Sequence, residues 1–109
     1  MTEEERKLLQ KELQRVVCAA NRMPDGTMFI GARHWDTHMH QQADAYKKLH
    51  NIQEKTLAKV EQGFIDQFGN FLTREEAWKV ARKNGQIIRL CSSETLDDEE
   101  GYLFSENLY

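Results

Sequence analysis

The chain has 109 residues, 39% hydrophobic and 30% charged, with one proline and a net charge of −3. That length allows one domain with one modest core, and the composition excludes wholesale disorder and recruitment to DNA, RNA or an anionic membrane by bulk charge. Its longest apolar run falls far short of the ~20 residues of a spanning helix.

Thr2 followed by Glu5 is a capping box. Leu8, Leu9, Leu13 and Val16 then recur at helical spacing among Glu, Lys, Gln and Arg. This predicts an amphipathic helix over about residues 3–14, available to pack on the body or on another subunit. Val16–Met23 reads as a strand, Pro24-Asp25-Gly26 as a turn and Thr27–Ala32 as the returning strand. The spacing of Trp35, Met39, Ala43, Tyr46 and Leu49 predicts a second helix over 35–49, with Asp36 or Thr37 near its start. Residues 50–61 are polar and read equally well as helix or loop.

Gln62–Asp66 reads as a short strand, Gln67–Asn70 as a turn and Phe71-Leu72 as the return. Thr73 with Glu76 is a second capping box, opening a helix with Ala77, Trp78, Val80 and Ala81 to bury and Gly85 to stop it. Gln86–Cys91 is a further apolar run and predicts a strand. An acidic loop follows over 92–101, and residues 102–109 are apolar enough to dock. The fold expected is α+β, a single domain over 1–109. Its opening helix (1–15) precedes a body (16–109) of two hairpin–helix (ββα) units, an antiparallel sheet packed by helices.

Cys18 and Cys91 are the only cysteines. Each lies in an apolar run and reads as a small core residue. No signal peptide precedes them, so free thiols in a reducing cytoplasm are expected.

Chemistry-bearing residues gather where each hairpin runs into its helix. Helix N-termini there would present unpaired N–H groups and a partial positive charge, a setting that suits phosphate. Arg33 offers a planar fork for phosphate oxygens, His34 a donor to ribose or phosphate, and Asp36 an acceptor for ribose hydroxyls. The plainer alternative is an Arg33–Asp36 pair that caps the second helix.

Phe64, Phe68 and Phe71 lie close together in sequence, and an exposed aromatic beside an arginine forms a stacking platform worth about 1–3 kcal/mol per base. The plainer alternative is that all three are core. His34 and His38, four apart, invite a metal. No HExxH or CxxC accompanies them, so neither a metal nor a cofactor is expected. Ser92 and Ser93 lack a GxSxG setting and neither cysteine has activating flanks, so an enzyme is not expected either. The residues point to a module that binds an anion.

Together, CAANRMPDGTMFIGARHWDTHM, EQGFIDQFGNFLTREEAWKVA and LFSENLY resemble the first family of Thoeris anti-defence proteins, small bacteriophage proteins, over roughly Val16 to Tyr109. The resemblance implies a sponge that binds cyclic ADP-ribose isomers made by bacterial TIR-domain proteins without cleaving them. It would act in the host bacterial cytoplasm and keep the signal from its effector. It also implies a homo-oligomer, a dimer or hexamer, that in some members binds cyclic trinucleotides at separate sites.

On that footing Arg33 and Arg74 would take phosphates, and Phe64 or Phe71 would stack on adenine. Asp36 and Asn70 would meet ribose or adenine edges. Phe104, Ser105 and Tyr109 of the docked end would complete a pocket on a neighbouring subunit. Replacing Arg33 or Arg74 by Ala is expected to weaken binding and leave the melting temperature near wild type. The competing expectations are a protein–protein adaptor, working through the opening helix and the apolar end, and a nucleotide hydrolase with a metal on His34, His38 and Asp36.

Overall fold

The computed structural model describes residues 1–52, 57, 59–90 and 99–108. Helix α1 (Glu3–Leu13) starts at Thr2, whose side chain accepts from the Glu5 amide. Strands β1 (Val16–Arg22) and β2 (Met28–Gly31) form a hairpin around Gly26, whose φ of 93° only glycine adopts readily. Helix α2 (Thr37–His50) follows and ends at Asn51 in the left-handed conformation. Strands β3 (Glu61–Asp66) and β4 (Phe71–Thr73) make the second hairpin. The Asp66 carboxylate holds its turn by accepting from the amides of Phe68 and Asn70. Helix α3 (Arg74–Lys83) opens with both halves of the Thr73/Glu76 capping box, and a short 3-10 turn covers Ser105–Asn107.

The four strands form one antiparallel sheet in the order β2-β1-β3-β4. Each hairpin–helix unit thus contributes one inner and one outer strand, and the two units meet through β1 and β3. Helix α2 packs on β2, and α3 packs on β3, β4 and β1. Between helices and sheet lie Ala19, Met23, Phe29, Phe64 and Leu72 from the strands, Met39 and Ala43 from α2, and Ala77, Trp78 and Ala81 from α3. Alanines let the helices approach closely, and each large side chain buried here contributes about 1.5–3 kcal/mol. Leu103, from the segment after residue 99, is fully buried in the same cluster.

Two expectations change. Residues 86–90 form no strand, and Cys91 lies outside the described residues. The reason is Gln86. Its side-chain Oε1 accepts from the Val16 amide and its Nε2 donates to the Val16 carbonyl, so one amide side chain stands where a neighbouring strand would pair. The amides of Ile88 and Arg89 turn instead to the Asn107 carbonyl. Gln42 does the same for the outer edge of β2, bonding both the amide and the carbonyl of Ile30. The second change is that Trp35 precedes α2, at a φ of 56°, and takes no part in the helix.

Helix α1 buries no residue. It is tied at its base, where Gln67 bonds the Leu13 carbonyl and the Arg15 amide, and Asn84 donates to the Gln14 carbonyl. The radius of gyration is 15.4 Å, against about 13 Å for a compact chain of this length. No described helix is long and apolar enough to cross a membrane.

Candidate functional site

The site begins at Gly31. A Cβ there would lie 2.3 Å from Asp36 Oδ1, so only glycine leaves room for that carboxylate against the backbone. Asp36 Oδ1 accepts from the Met39 amide at 2.9 Å, and Oδ2 accepts from the Ala32 amide at 2.9 Å. The bond from Met39 leads in holding its pKa below the ordinary carboxylate value. Asp36 is therefore the N-cap of α2 and folds residues 32–35 into a tight turn. The helix N-termini expected to greet a phosphate are occupied in the same way, α2 by Asp36 and α3 by Thr73, with Glu75 and Glu76 adding negative charge at the latter.

The turn sends His34 to β3 and to the 3-10 turn. Its Nε2 lies 2.6 Å from the Gly63 carbonyl, which can only accept, so Nε2 carries the proton. Nδ1 then accepts from Ser105 Oγ at 2.9 Å, and Ser105 Oγ in turn accepts from the His34 amide at 3.3 Å. Burial, then the charge of Arg74, pushes the His34 pKa down, which agrees with a neutral ring. The ring also stands edge-on to Phe64 at 5.0 Å.

Arg74, the first residue of α3, is half-buried. Its Nη1 donates to the Leu103 carbonyl at 2.6 Å and its Nη2 to Gln62 Oε1 at 2.7 Å. The guanidinium lies 4.9 Å from the centre of the Phe104 ring and 6.0 Å from that of Phe64. Both hydrogen-bond partners are neutral, and among the described residues no carboxylate lies within ion-pair distance of it. Burial lowers its pKa, opposed by the more distant charge of Glu106. A positive charge partly withdrawn from water and bonded only to neutral acceptors keeps its full charge for whatever approaches it.

Next to it, through Gln62, opens a cleft of about 340 Å³ lined by Trp35, His40, Asp44, Lys47, Leu57 and Gln62. That volume is at the lower end of the range for small-molecule sites. The Trp35 and His40 rings stand 5.5 Å apart in its wall, and Lys47 pairs with Asp44 at 3.1 Å. Trp35 is held at its positive φ with its amide donating to Met39 Sδ, a sparsely populated backbone state of the kind that gathers at ligand sites. Asn21, opposite Gln62 in register, has a buried Oδ1 with no donor among the described residues.

Of the residues singled out in the sequence, His34, Phe64, Arg74, Phe104 and Ser105 come together. Phe64 is fully buried and closed to a ligand, whereas Phe104 is 40% exposed and offers an open ring. Arg33 is exposed on the loop before α2. Asn70 sits in the β3–β4 turn, donating to Asp66. Strand alternation puts Phe71 on the opposite sheet face from Phe64, under the Arg22 guanidinium at 4.2 Å. Tyr109 lies outside the described residues.

Sequence reasoning missed Gln62, the Gly63 carbonyl, and Trp35 with His40 as a cleft wall. Among the described residues no group of His, Cys, Asp or Glu is arranged to hold a metal ion. Cys18 is a free, half-buried thiol whose pKa burial raises. Its relation to Cys91 lies outside the described residues.

A family model described as Phage T4 y16D protein matches residues 15–109, the whole body without α1. No curated protein and no solved structure matches the chain.

Proposed function

The chain belongs to the Phage T4 y16D protein family, and we propose that this phage protein binds a nucleotide-type anion at Arg74 and the adjoining Trp35 cleft and holds it without cleavage. The observation that carries the reading is Arg74, a half-buried cation bonded only to neutral acceptors beside an open aromatic ring. A ligand with a base, ribose and phosphates matches that chemistry, with phosphate on Arg74, a base on Phe104 or in the Trp35–His40 cleft, and hydroxyls on Gln62 or Lys47.

Together with the sequence resemblance, this favours a cyclic ADP-ribose isomer as ligand, with cyclic trinucleotides as further candidates. Sequestration would then blunt Thoeris immunity in the host bacterial cytoplasm, with the protein working as a homo-oligomer. One observation favours a second reading as a protein–protein adaptor: the leucines of α1 face solvent.

Thermal unfolding with and without each cyclic nucleotide tests the proposal. A ligand at ~100 times its Kd stabilises the fold by about 2.7 kcal/mol, or roughly 10 °C or more for a domain of this size. Chromatography of the recovered ligand should return it intact. Arg33→Ala tests whether the exposed arginine contacts phosphate, with a roughly tenfold loss of affinity expected if it does. No shift with any of these ligands would move the reading to a protein partner, and recovery of product would make the protein an enzyme.

A further inference from the structure

Helix α1 is amphipathic the wrong way round for a monomer. Lys7, Gln10, Lys11 and Gln14 line a cleft against Asp66 and Asn70 of the body, and Gln14 Nε2 bonds Asp66 Oδ2 at 2.9 Å. The opposite side carries Leu8, Leu9 and Leu13, which are 65%, 44% and 57% exposed. A helix of 11 residues is too short to hold itself in water and draws its stability from packing an apolar face. Here the polar face meets the body through Gln14, Glu12 reaches Lys83 of α3, and the leucines are left over.

The charges along the helix say what fits that face. Its first turn is acidic, with Glu3, Glu4 and Glu5, and its far end is net basic, with Lys11 and then Arg15 around a Glu12 that already pairs with Lys83 of α3 at 3.4 Å. A second α1 running antiparallel would set each acidic turn against the basic end of its partner. A parallel copy would set like against like. We propose that α1 is a self-association element, its leucine face paired antiparallel with α1 of a second copy of this chain across a two-fold axis. Two helices this short do not bury a standard interface alone. The apolar surface, however, runs on past α1: Val17 is exposed, and beyond Gln86, which clasps Val16, so are Ile88 and Leu90.

This makes specific the self-association named under the proposed function, and it rests on that reading only there. The ligand site lies in the body, so the two can fail separately.

The test is mass by light scattering and sedimentation on three variants, with the nucleotide melting shift recorded alongside. Wild type should be a dimer or a multiple of it. Leu9→Asp with Leu13→Asp, two changes that empty no core position, should give the 12.8 kDa monomer. Replacing Glu3, Glu4 and Glu5 by Lys, or separately Lys11 and Arg15 by Glu, should weaken assembly at least tenfold. Mixing those two charge-reversed proteins should restore it as a mixed species. A monomeric wild type, an unchanged mass in the leucine variant, or a mixture that fails to recombine would each overturn the pairing. Loss of the nucleotide shift in wild type would instead strike the ligand reading.

Discussion

Arg74→Ala should cost the fold stability as well as any ligand. Arg74 joins β3 to the segment after residue 99 by two hydrogen bonds, to Gln62 and Leu103, and its ring contact with Phe104 adds a third tie. Hydrogen bonds from a charged donor contribute about 1.5–3 kcal/mol each; the half-exposed position argues for the low end. A cation over an exposed ring adds about 0.5 kcal/mol. Against this stands the desolvation of the guanidinium, which its lowered pKa records and which truncation relieves. The net loss should be about 2 kcal/mol, a fall in melting temperature of roughly 10 °C.

For Arg74 this differs from the sequence-based expectation of a melting temperature near wild type. Circular dichroism melts and urea titrations measure it. Gln62→Ala should lose about half as much, and the double variant should lose less than the sum, because the residues share a bond. An Arg74→Ala protein that melts within about 2 °C of wild type would refute the argument that this guanidinium latches the tail.

Three further outcomes are expected. Gly63→Ala would put a Cβ 2.2 Å from the Leu72 carbonyl and 2.5 Å from the Phe71 ring, so the β3–β4 pair must part at a cost of about 3 kcal/mol or more. Normal hydrogen-exchange protection of β4 in that variant would contradict this. Gln86→Ala and Gln42→Ala should each lose about 1–2 kcal/mol by urea titration, because each leaves two edge groups without their side-chain partner; an unchanged urea midpoint would show the clasp to be incidental. The pKa of His34 is depressed in the fold, so its contribution is fully present above the unfolded value of 6.5 and is lost as the pH falls through the folded value. Stability should therefore decline as the pH falls below about 6.5, and His34→Gln should flatten that slope.

The elements of this fold were largely legible because their signals are local. Thr73 and Glu76 stand one helical turn apart, Pro24-Asp25-Gly26 specifies its own turn, and the leucines of α1 repeat at helical spacing. Pairings across long stretches of chain left no such mark. Ser105 meets His34 across 71 residues and Gln86 meets Val16 across 70. A glutamine that replaces a strand looks in sequence like the first residue of one, which is why the run Gln86–Cys91 predicts a strand.

The site was legible by residue type more than by role. Asp36 has the carboxylate a ribose would want, yet the geometry fixed by Gly31 commits it to the backbone. Phe64 and Phe104 are both aromatic, and only burial, which no local pattern encodes, separates the core ring from the open one. Periodicity placed Trp35 in a helix, because a single residue at positive φ does not disturb the spacing of its neighbours.

The segment that Arg74 and His34 grasp, around Leu103 and Ser105, also leaves the ribosome after both hairpins and α3. Both hairpins and α3 can emerge and pair while Leu103, Phe104 and Ser105 are still inside the exit tunnel. During that interval Arg74 has no Leu103 carbonyl to hold and His34 has no Ser105. Synthesis therefore imposes an order in which the sheet can form first and the Arg74–Leu103 and His34–Ser105 bonds close afterwards. A product cut short before residue 103 would have both hairpins and α3 yet leave Arg74 and His34 without these partners.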